Sequence, residues 1–206
     1  MTRTRELVTS IGAARVTTLG RKASLTVVLG HGAGGGIEAA DLQAVGAALV
    51  TAGHRVMLVE QPWRVAGRKV AARPATLDTA WLEVIARLKL GEFLVGGRSA
   101  GARVACRTAL QTGARGVVAL GFPLHPPGRP EVSRAGELTG AGVPVLVVQG
   151  ERDPFGSPRE VRAAARGVSV LTAKGADHAL ARAGVPAPGL SSALDGILAF
   201  VANLTP

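Results

Sequence analysis

The sequence of 206 residues has a single cysteine, no tyrosine and no long apolar run. One thiol, Cys106, can form neither an internal disulfide nor a cluster of thiolate metal ligands. The longest apolar runs, such as residues 25–30 and 143–148, are far shorter than the roughly 18 residues that a membrane-spanning helix needs. These absences exclude a disulfide-stapled scaffold, a zinc-finger type of metal site and a membrane protein of the helical kind.

The composition is that of a folded protein, with 47% apolar and 18% charged residues. The length favours one compact domain over residues 1–206. Residues 1–6 are charged and no apolar segment of signal-peptide length follows them, so we expect a cytoplasmic protein.

The formal net charge of +10 raises the question of nucleic-acid binding. The 24 cationic residues are 20 arginines and four lysines scattered along the chain without a run, beside many alanines and glycines. This pattern is typical of a GC-rich coding bias. Aromatic residues make up only 3% of the chain and form no platform on which bases could stack, so we do not expect a nucleic-acid partner.

Short runs rich in valine and leucine alternate with longer segments of helical periodicity, which predicts an α/β fold with a mostly parallel sheet and helices on both faces. We predict about seven strands, over Arg15–Leu19, Ser24–Leu29, Arg55–Glu60, Glu92–Gly96, Gly116–Leu120, Pro144–Gln149 and Ser169–Thr172. The predicted helices cover Ala39–Ala52, Leu77–Leu90, Ala100–Thr112, Pro158–Arg166 and Ser191–Asn203. Three irregular stretches, Gln61–Pro74, Gly121–Pro130 and Ala183–Gly189, are rich in proline or glycine and are candidates for lining a site.

The strongest local motif is G-R-S-A-G at residues 97–101, which fits the pattern G-x-S-x-G. It directly follows a predicted strand and directly precedes a predicted helix, as a nucleophile elbow requires. The small residues Gly97 and Gly101 would allow the close backbone approach in such a turn. The turn would expose the Ser99 hydroxyl and aim the Ala100 N–H at a developing oxyanion.

A second motif, G-H-G-A-G-G-G at residues 30–36, closes the first predicted parallel strand. It lacks the Lys-Ser/Thr ending of a phosphate-binding loop, and a histidine inside the glycines is foreign to the dinucleotide fingerprint, so we expect no nucleotide cofactor. A His-Gly loop at this position instead suits the second oxyanion donor of a hydrolase. We favour the Ala33 N–H for that role, with Gly32 and Gly34 as open alternatives, and expect His31 to bond its own loop.

A serine hydroxyl needs a histidine base and an orienting acid. Of the four histidines, only His178 follows the last predicted strand and so fits the chain order serine, acid, histidine. Asp153 comes directly after the strand that ends near Gln149, where its carboxylate can reach the imidazole. Asp177 is the rival acid, but adjacent loop residues seldom bond each other side by side, and Glu151 points away if its segment stays extended.

Together these motifs give the chain a resemblance to the α/β-hydrolase superfamily, and within it to a small branch without a cap domain, the dienelactone-hydrolase-like hydrolases. The segments E-Q-P-W-R-V-A-G at 60–67, G-G-R-S at 96–99 and G-F-P-L-H-P-P-G at 121–128 carry the resemblance, which covers nearly the whole chain. The same branch is similar to the hydrolase-like subunit of a nuclear histone-acetyltransferase complex, which shows that the architecture can also serve as a scaffold. The chain departs from the dienelactone hydrolases proper, which have a cysteine nucleophile where this chain has Ser99.

The resemblance implies an α/β-hydrolase fold without a cap domain and a serine esterase that acts through an acyl-enzyme, with no metal and no cofactor. Ser99 would be the nucleophile, His178 the base and Asp153 its orienting acid, with a small acyl compound as substrate. The alternative is a non-catalytic binding or scaffold protein. We expect the following residues to contact the substrate or wall its pocket: Gly32, Trp63, Arg98, Phe122, Leu124 and Phe155. For Arg98, a salt bridge to a carboxylate of the fold is the favoured alternative.

Overall fold

The computed structural model describes residues 2–182 and 185–205. Its main element is an eight-stranded sheet with the order β1-β2-β4-β3-β5-β6-β7-β8. The strands are β1 Thr2–Thr9, β2 Gly12–Leu19, β3 Leu25–Gly30, β4 Arg55–Glu60, β5 Glu92–Arg98, β6 Val117–Leu120, β7 Val145–Gly150 and β8 Ser169–Ala173, and a separate two-stranded ribbon joins β9 Ala181–Arg182 to β10 Val185–Pro186.

The sheet is parallel from β4 through β8, while β1 and β2 are antiparallel to their neighbours. The α/β prediction is therefore confirmed, with eight strands in place of about seven. The additional strand is β1, whose residues Thr2–Thr9 are mostly exposed and lack an apolar run that could indicate a strand. Because β5, β7 and β8 run in parallel, the loops that follow them meet at one edge of the sheet, and that edge carries the candidate site.

Seven helices pack on the described sheet or lie in its loops. They are α1 Ala40–Thr51, α2 Pro62–Val65, α3 Pro74–Leu88, α4 Ala100–Thr112, α5 Ala135–Thr139, α6 Pro158–Ala164 and α7 Pro188–Asn203. Both α3 and α7 begin three residues before the predicted start, each with a proline at the first helical position, where the missing N–H costs no hydrogen bond. Of the predicted irregular stretch Ala183–Gly189, residues 183–184 lie outside the described residues and the remainder enters β10 and α7.

The core has two layers, one on each face of the sheet. Leu42 and Leu49 of α1 join Leu190 and Ile197 of α7 in one layer. The other layer holds the apolar stripes of α3 and α4, with Trp81 as its largest fully buried side chain. Helices therefore cover both faces, as the alternating pattern predicts, and the sheet holds the loops at its carboxyl edge in fixed positions.

No cap domain interrupts the fold between β6 and β7. Residues 121–144, all of them described, form loops and the five-residue helix α5. Among the described helices, none combines the length and the apolar character that crossing a membrane requires.

Candidate active site

Ser99 lies in a sharp turn between β5 and α4. Its backbone has φ of 52° and ψ of −109°, a conformation that costs energy in a residue with a side chain. The surroundings hold it there, because the Ser99 N–H donates to the Leu120 carbonyl at 2.9 Å and the Ser99 carbonyl accepts from the Arg103 N–H at 3.1 Å. The strained turn of the predicted elbow is thus present in the structure.

The glycines on either side of Ser99 are required by close contact of backbone segments. A Cβ atom on Gly101 would lie 2.5 Å from the Gly30 carbonyl oxygen and 2.6 Å from its carbon. Gly97 faces the same carbonyl oxygen and has φ of 154°. Neither position can accept a side chain without a shift of backbone, so the turn and β3 are locked together.

The hydroxyl of Ser99 is the first member of a hydrogen-bonded chain of three side chains. Its Oγ lies 2.9 Å from Nε2 of His178, and Nδ1 of the same ring lies 2.9 Å from Oδ2 of Asp153. The arrangement matches a neutral imidazole whose Nδ1–H donates to the carboxylate and whose Nε2 accepts from the hydroxyl. The structure therefore brings together the three residues that the sequence pointed to.

Asp153 is held on all sides by donors. Asp153 is buried, and both of its carboxylate oxygens accept hydrogen bonds. Oδ1 accepts from the Phe155 N–H at 2.8 Å, and Oδ2 accepts from Nε2 of Gln149 at 2.9 Å as well as from His178. The phenyl ring of Phe155 lies against the imidazole with ring centroids 4.3 Å apart. The carboxylate is thus fixed in one orientation toward the ring nitrogen.

Asp177 and Glu151, the two alternative candidates for the orienting acid, accept hydrogen bonds from loop backbone instead. Oδ1 of Asp177 accepts from the Ala179 N–H at 2.9 Å, and Oε2 of Glu151 accepts from the Gly175 N–H at 2.8 Å. Both side chains are exposed, and each fixes the backbone of the segment that carries His178. Their role in the structure is to position this loop.

His31 fixes the glycine-rich loop that follows β3. Its Nδ1 lies 2.8 Å from the Gly32 carbonyl, and its Nε2 accepts from the Gln61 N–H at 3.1 Å. The ring is buried against Trp63, and burial lowers the pKa of His31, so the ring is neutral. The anchored loop places Gly32 next to Ser99. A Cβ atom added to Gly32 would lie 3.4 Å from Cβ of Ser99.

Ser99 and His178 open into a cleft of about 420 Å³. Ala33 and Ala100 both line it, and Ala100 begins α4, where the first N–H groups have no partner within the helix. Both residues predicted to supply oxyanion donors thus line the same cleft as Ser99. The lining residues of the cleft are Ala33, Gly34, Arg98, Ser99, Ala100, Arg103, Pro123, Arg134, Phe155 and His178.

Comparisons with known proteins agree with this architecture. The family model described as an alpha/beta hydrolase domain matches residues 23–195, which is most of the chain. The chain belongs to the α/β-hydrolase family. No curated protein sequence matches it.

Solved structures share the fold of this α/β hydrolase at low identity. An alpha-beta serine hydrolase homologue from Coxiella burnetii is 15% identical, with 97% of each chain covered and a TM-score of 0.77. A serine hydrolase without a lid from Xanthomonas campestris is 16% identical, with 100% of this chain and 95% of that chain covered and a TM-score of 0.78. Est1E from Butyrivibrio proteoclasticus is 14% identical, with 98% of both chains covered and a TM-score of 0.76.

Three residues predicted to contact substrate are buried and do not line the cleft that holds Ser99. Trp63 is buried beside His31, Phe122 is fully buried, and Leu124 packs under Gly156. The segments that carry these residues fold inward and add to the core, and the contact of the three side chains with substrate stays a prediction. Arg98 and Phe155 do line the cleft, while Gly32 is buried next to Ser99 and is not part of the cleft lining.

Sequence reasoning missed two buried polar residues that support the site. Gln149 is fully buried behind Asp153, and Asp41 is buried beside Arg98, whose Nε lies 2.8 Å from its Oδ2. Gln149 could have been identified from the sequence, because it is a single polar residue in the apolar run that forms β7. Burial raises the pKa of Asp41, and the Arg98 guanidinium opposes that effect. Arg98 is thus partly neutralised where it meets the cleft.

Proposed function

We propose that the protein is a serine hydrolase that cleaves a carboxylic ester or a related acyl bond. The single observation that carries the proposal is the hydrogen-bonded chain from Ser99 through His178 to Asp153, with 2.9 Å at each step. A scaffold has no physical reason to keep a serine in a strained turn opposite a correctly oriented imidazole. The family, together with the similar solved structures that are described as esterases, supports a hydrolytic reaction.

The proposed reaction has two steps. Oγ of Ser99 attacks the carbonyl carbon of the substrate while Nε2 of His178 takes the hydroxyl proton, and the same nitrogen then gives that proton to the departing alcohol. An acyl-enzyme remains. His178 next takes a proton from water, the resulting hydroxide equivalent attacks the acyl carbon, and the proton returns to Ser99 as the acid leaves. Asp153 stabilises the protonated imidazole throughout.

The negative oxygen of each tetrahedral intermediate would be stabilised by backbone donors. The Ala100 N–H belongs to the N-terminus of α4, and the Ala33 N–H belongs to the loop that His31 anchors. Each such donor contributes about 3 kcal/mol to transition-state stabilisation in enzymes of this type. His31 would therefore assist the reaction indirectly, by holding the loop that carries one donor.

The open cleft favours substrates with small acyl groups or groups that extend into solvent. Its volume of about 420 Å³ is at the lower end of the range for small-molecule sites, and no helical lid covers it in the described residues. We expect p-nitrophenyl acetate and butyrate to be hydrolysed with higher kcat/KM than the dodecanoate. A rise in kcat/KM with chain length would contradict this expectation.

A fluorophosphonate probe, which labels activated serines, tests the proposal. We expect the wild-type protein to be labelled and both Ser99→Ala and His178→Ala to remain unlabelled. Ser24→Ala is the matched control, because Ser24 is exposed and lies outside the cleft, and its labelling should equal that of the wild type. A folded wild type that is not labelled would overturn the proposal and favour the scaffold alternative.

A further inference from the structure

Three arginines line the cleft beside Ser99, namely Arg98, Arg103 and Arg134. The side chain of Arg98 is only 14% exposed. Its Nε lies 2.8 Å from Oδ2 of the buried Asp41 carboxylate. Asp41 is thus the carboxylate partner of Arg98. Arg98 is therefore already occupied and offers little attraction to a further anion.

Arg103 belongs to a second group of charges on the outer side of the cleft. It forms a two-pronged ion pair with Glu137, in which its Nε donates to Oε2 at 2.8 Å. Arg107 also contacts Glu137, at 3.1 Å, and forms its own two-pronged pair with Asp78 at 2.6 and 2.8 Å. The two carboxylates are thus both fully engaged by Arg103 and Arg107.

In the described part of the chain, Arg134 forms no ion pair with a carboxylate. Arg98, Arg103 and Arg107 each lie within 4.0 Å of a carboxylate, whereas no carboxylate of the described residues lies within 4.0 Å of Arg134.

The contacts of Arg134 fix its guanidinium without neutralising it. Its Nη1 donates to the Pro123 carbonyl at 2.9 Å, and its backbone N–H donates to the Leu124 carbonyl at 2.7 Å. Burial and the nearby Arg103 cation lower the pKa of Arg134, and the Glu137 carboxylate, which is beyond ion-pair distance, opposes them; the arginine stays charged at neutral pH. One nitrogen is used by the chain, so the other N–H groups are available to a ligand.

The remainder of the cleft does not compete for this charge. Ala33, Gly34, Pro123 and Phe155 contribute small or apolar surface. The carboxylate of Asp153 is completely buried and is already engaged by His178 and other donors. The cleft therefore joins a reactive serine to a guanidinium that has no carboxylate partner within 4.0 Å among the described residues.

We propose that the substrate is an ester or related acyl compound that carries one carboxylate, and that Arg134 binds this carboxylate. This inference rests on the proposed function, since it assigns a substrate class to the same cleft. Arg134 has no carboxylate partner among the described residues, and a guanidinium binds a planar carboxylate with two parallel hydrogen bonds. Arg134 would then determine specificity and take no part in bond cleavage.

The test uses two pairs of compounds that differ only in a carboxylate or a carboxamide. One pair, 4-acetoxybenzoate and 4-acetoxybenzamide, places the group in the alcohol portion; the other, monophenyl adipate and its carboxamide, places it in the acyl portion.

Binding is measured by calorimetry in the Ser99→Ala background, where no hydrolysis occurs, and kcat/KM is measured in the otherwise wild-type protein. Each measurement is made with the native Arg134, with Arg134→Gln, with Arg134→Lys and with Arg129→Gln. Arg129 is the control because it is exposed, lies outside the cleft and belongs to the same loop segment.

In at least one pair, we expect the carboxylate to bind the Ser99→Ala protein more tightly than the carboxamide, by roughly tenfold. Arg134→Gln should remove this preference, Arg134→Lys should keep part of it, and Arg129→Gln should leave it intact. Thermal unfolding of Arg134→Gln verifies that the loop has kept its fold.

Equal binding of both members in both pairs, or a preference that survives in folded Arg134→Gln, would overturn the inference. Binding that depends on Arg134, combined with no hydrolysis by the wild type and no fluorophosphonate labelling, would instead overturn the proposed function and keep the anion site. The two failures are thus distinguishable.

Discussion

The side-chain amide of Gln149 donates at 2.9 Å to Oδ2 of Asp153, the same oxygen that faces Nδ1 of His178. The amide nitrogen also lies 2.7 Å from the Gly156 carbonyl, and its Oε1 accepts from the Phe122 N–H at 2.9 Å. One fully buried amide thus joins the orienting carboxylate to the loops on either side of it. Its removal should affect both stability and the reactivity of the distant serine.

Gln149→Leu removes these hydrogen bonds at nearly constant volume. Because buried polar groups would lose their partners, we expect the free energy of unfolding to fall by about 2 to 4 kcal/mol. The rate of fluorophosphonate labelling should fall by roughly tenfold, since Asp153 loses one of its fixed donors. Urea titration and timed labelling measure the two effects. Gln111→Leu is the control because Gln111 is exposed, and identical behaviour of the two variants would contradict this role of Gln149.

Gly101→Ala tests the contact between the elbow and β3. The new methyl group would lie 2.5 Å from the Gly30 carbonyl oxygen, so backbone must shift, and we expect a loss of stability of about 1 to 3 kcal/mol together with slower labelling of Ser99. Gly136→Ala is the matched control, because Gly136 is also helical but has open space around it. The control should be neutral or slightly stabilising. Equal melting temperatures for the two variants would refute the steric argument.

Acidification should destabilise the protein through His31. Burial lowers the pKa of His31 in the folded state, so the unfolded chain binds a proton more readily than the folded one. This contribution to stability is complete above the unfolded pKa of about 6.5 and is lost as the pH falls through the lower folded pKa. Unfolding free energies of the wild type and His31→Gln, measured between pH 5 and 8, give the difference. The variant should be less stable overall and should show a shallower slope below about pH 6.5; parallel curves would show that His31 is not the titrating group.

Cys106 should be chemically silent in the native protein. It is completely buried in α4, and burial raises the pKa of its thiol to about 12, so almost no thiolate exists at pH 8. We expect iodoacetamide to modify the protein only in denaturing urea. The chain has one cysteine, so mass spectrometry reads the reaction directly. Rapid alkylation without denaturant would show that α4 opens.

The order of Ser99, Asp153 and His178 along the chain could be predicted because the parallel sheet determines it. Each residue follows a strand whose apolar run is evident in the sequence, and parallel strands end at one edge. The choice between Asp153 and Asp177 also followed from elementary geometry. Local patterns therefore contained enough information to place the hydrogen-bonded chain.

The walls and supports of the cleft could not be predicted in the same way. Phe122 and Leu124 stand in a proline-rich segment, where no periodicity tells which side chains turn inward. Arg134 was not distinguished from the other arginines, because its missing counter-charge is apparent only when Glu137 and Asp78 are seen to be taken by others. Such features depend on pairings between distant segments.

The exposed strand β1 has a consequence for solubility. It forms one outer edge of the sheet and so offers unpaired backbone groups to any other extended chain. Arg3, Arg5 and Glu6 place charges along that edge, and bringing two such edges together would set cations against cations. The positive charge of this segment therefore opposes edge-to-edge association of the sheets of two molecules. Replacing Arg3 and Arg5 with valine would make the same edge prone to aggregation.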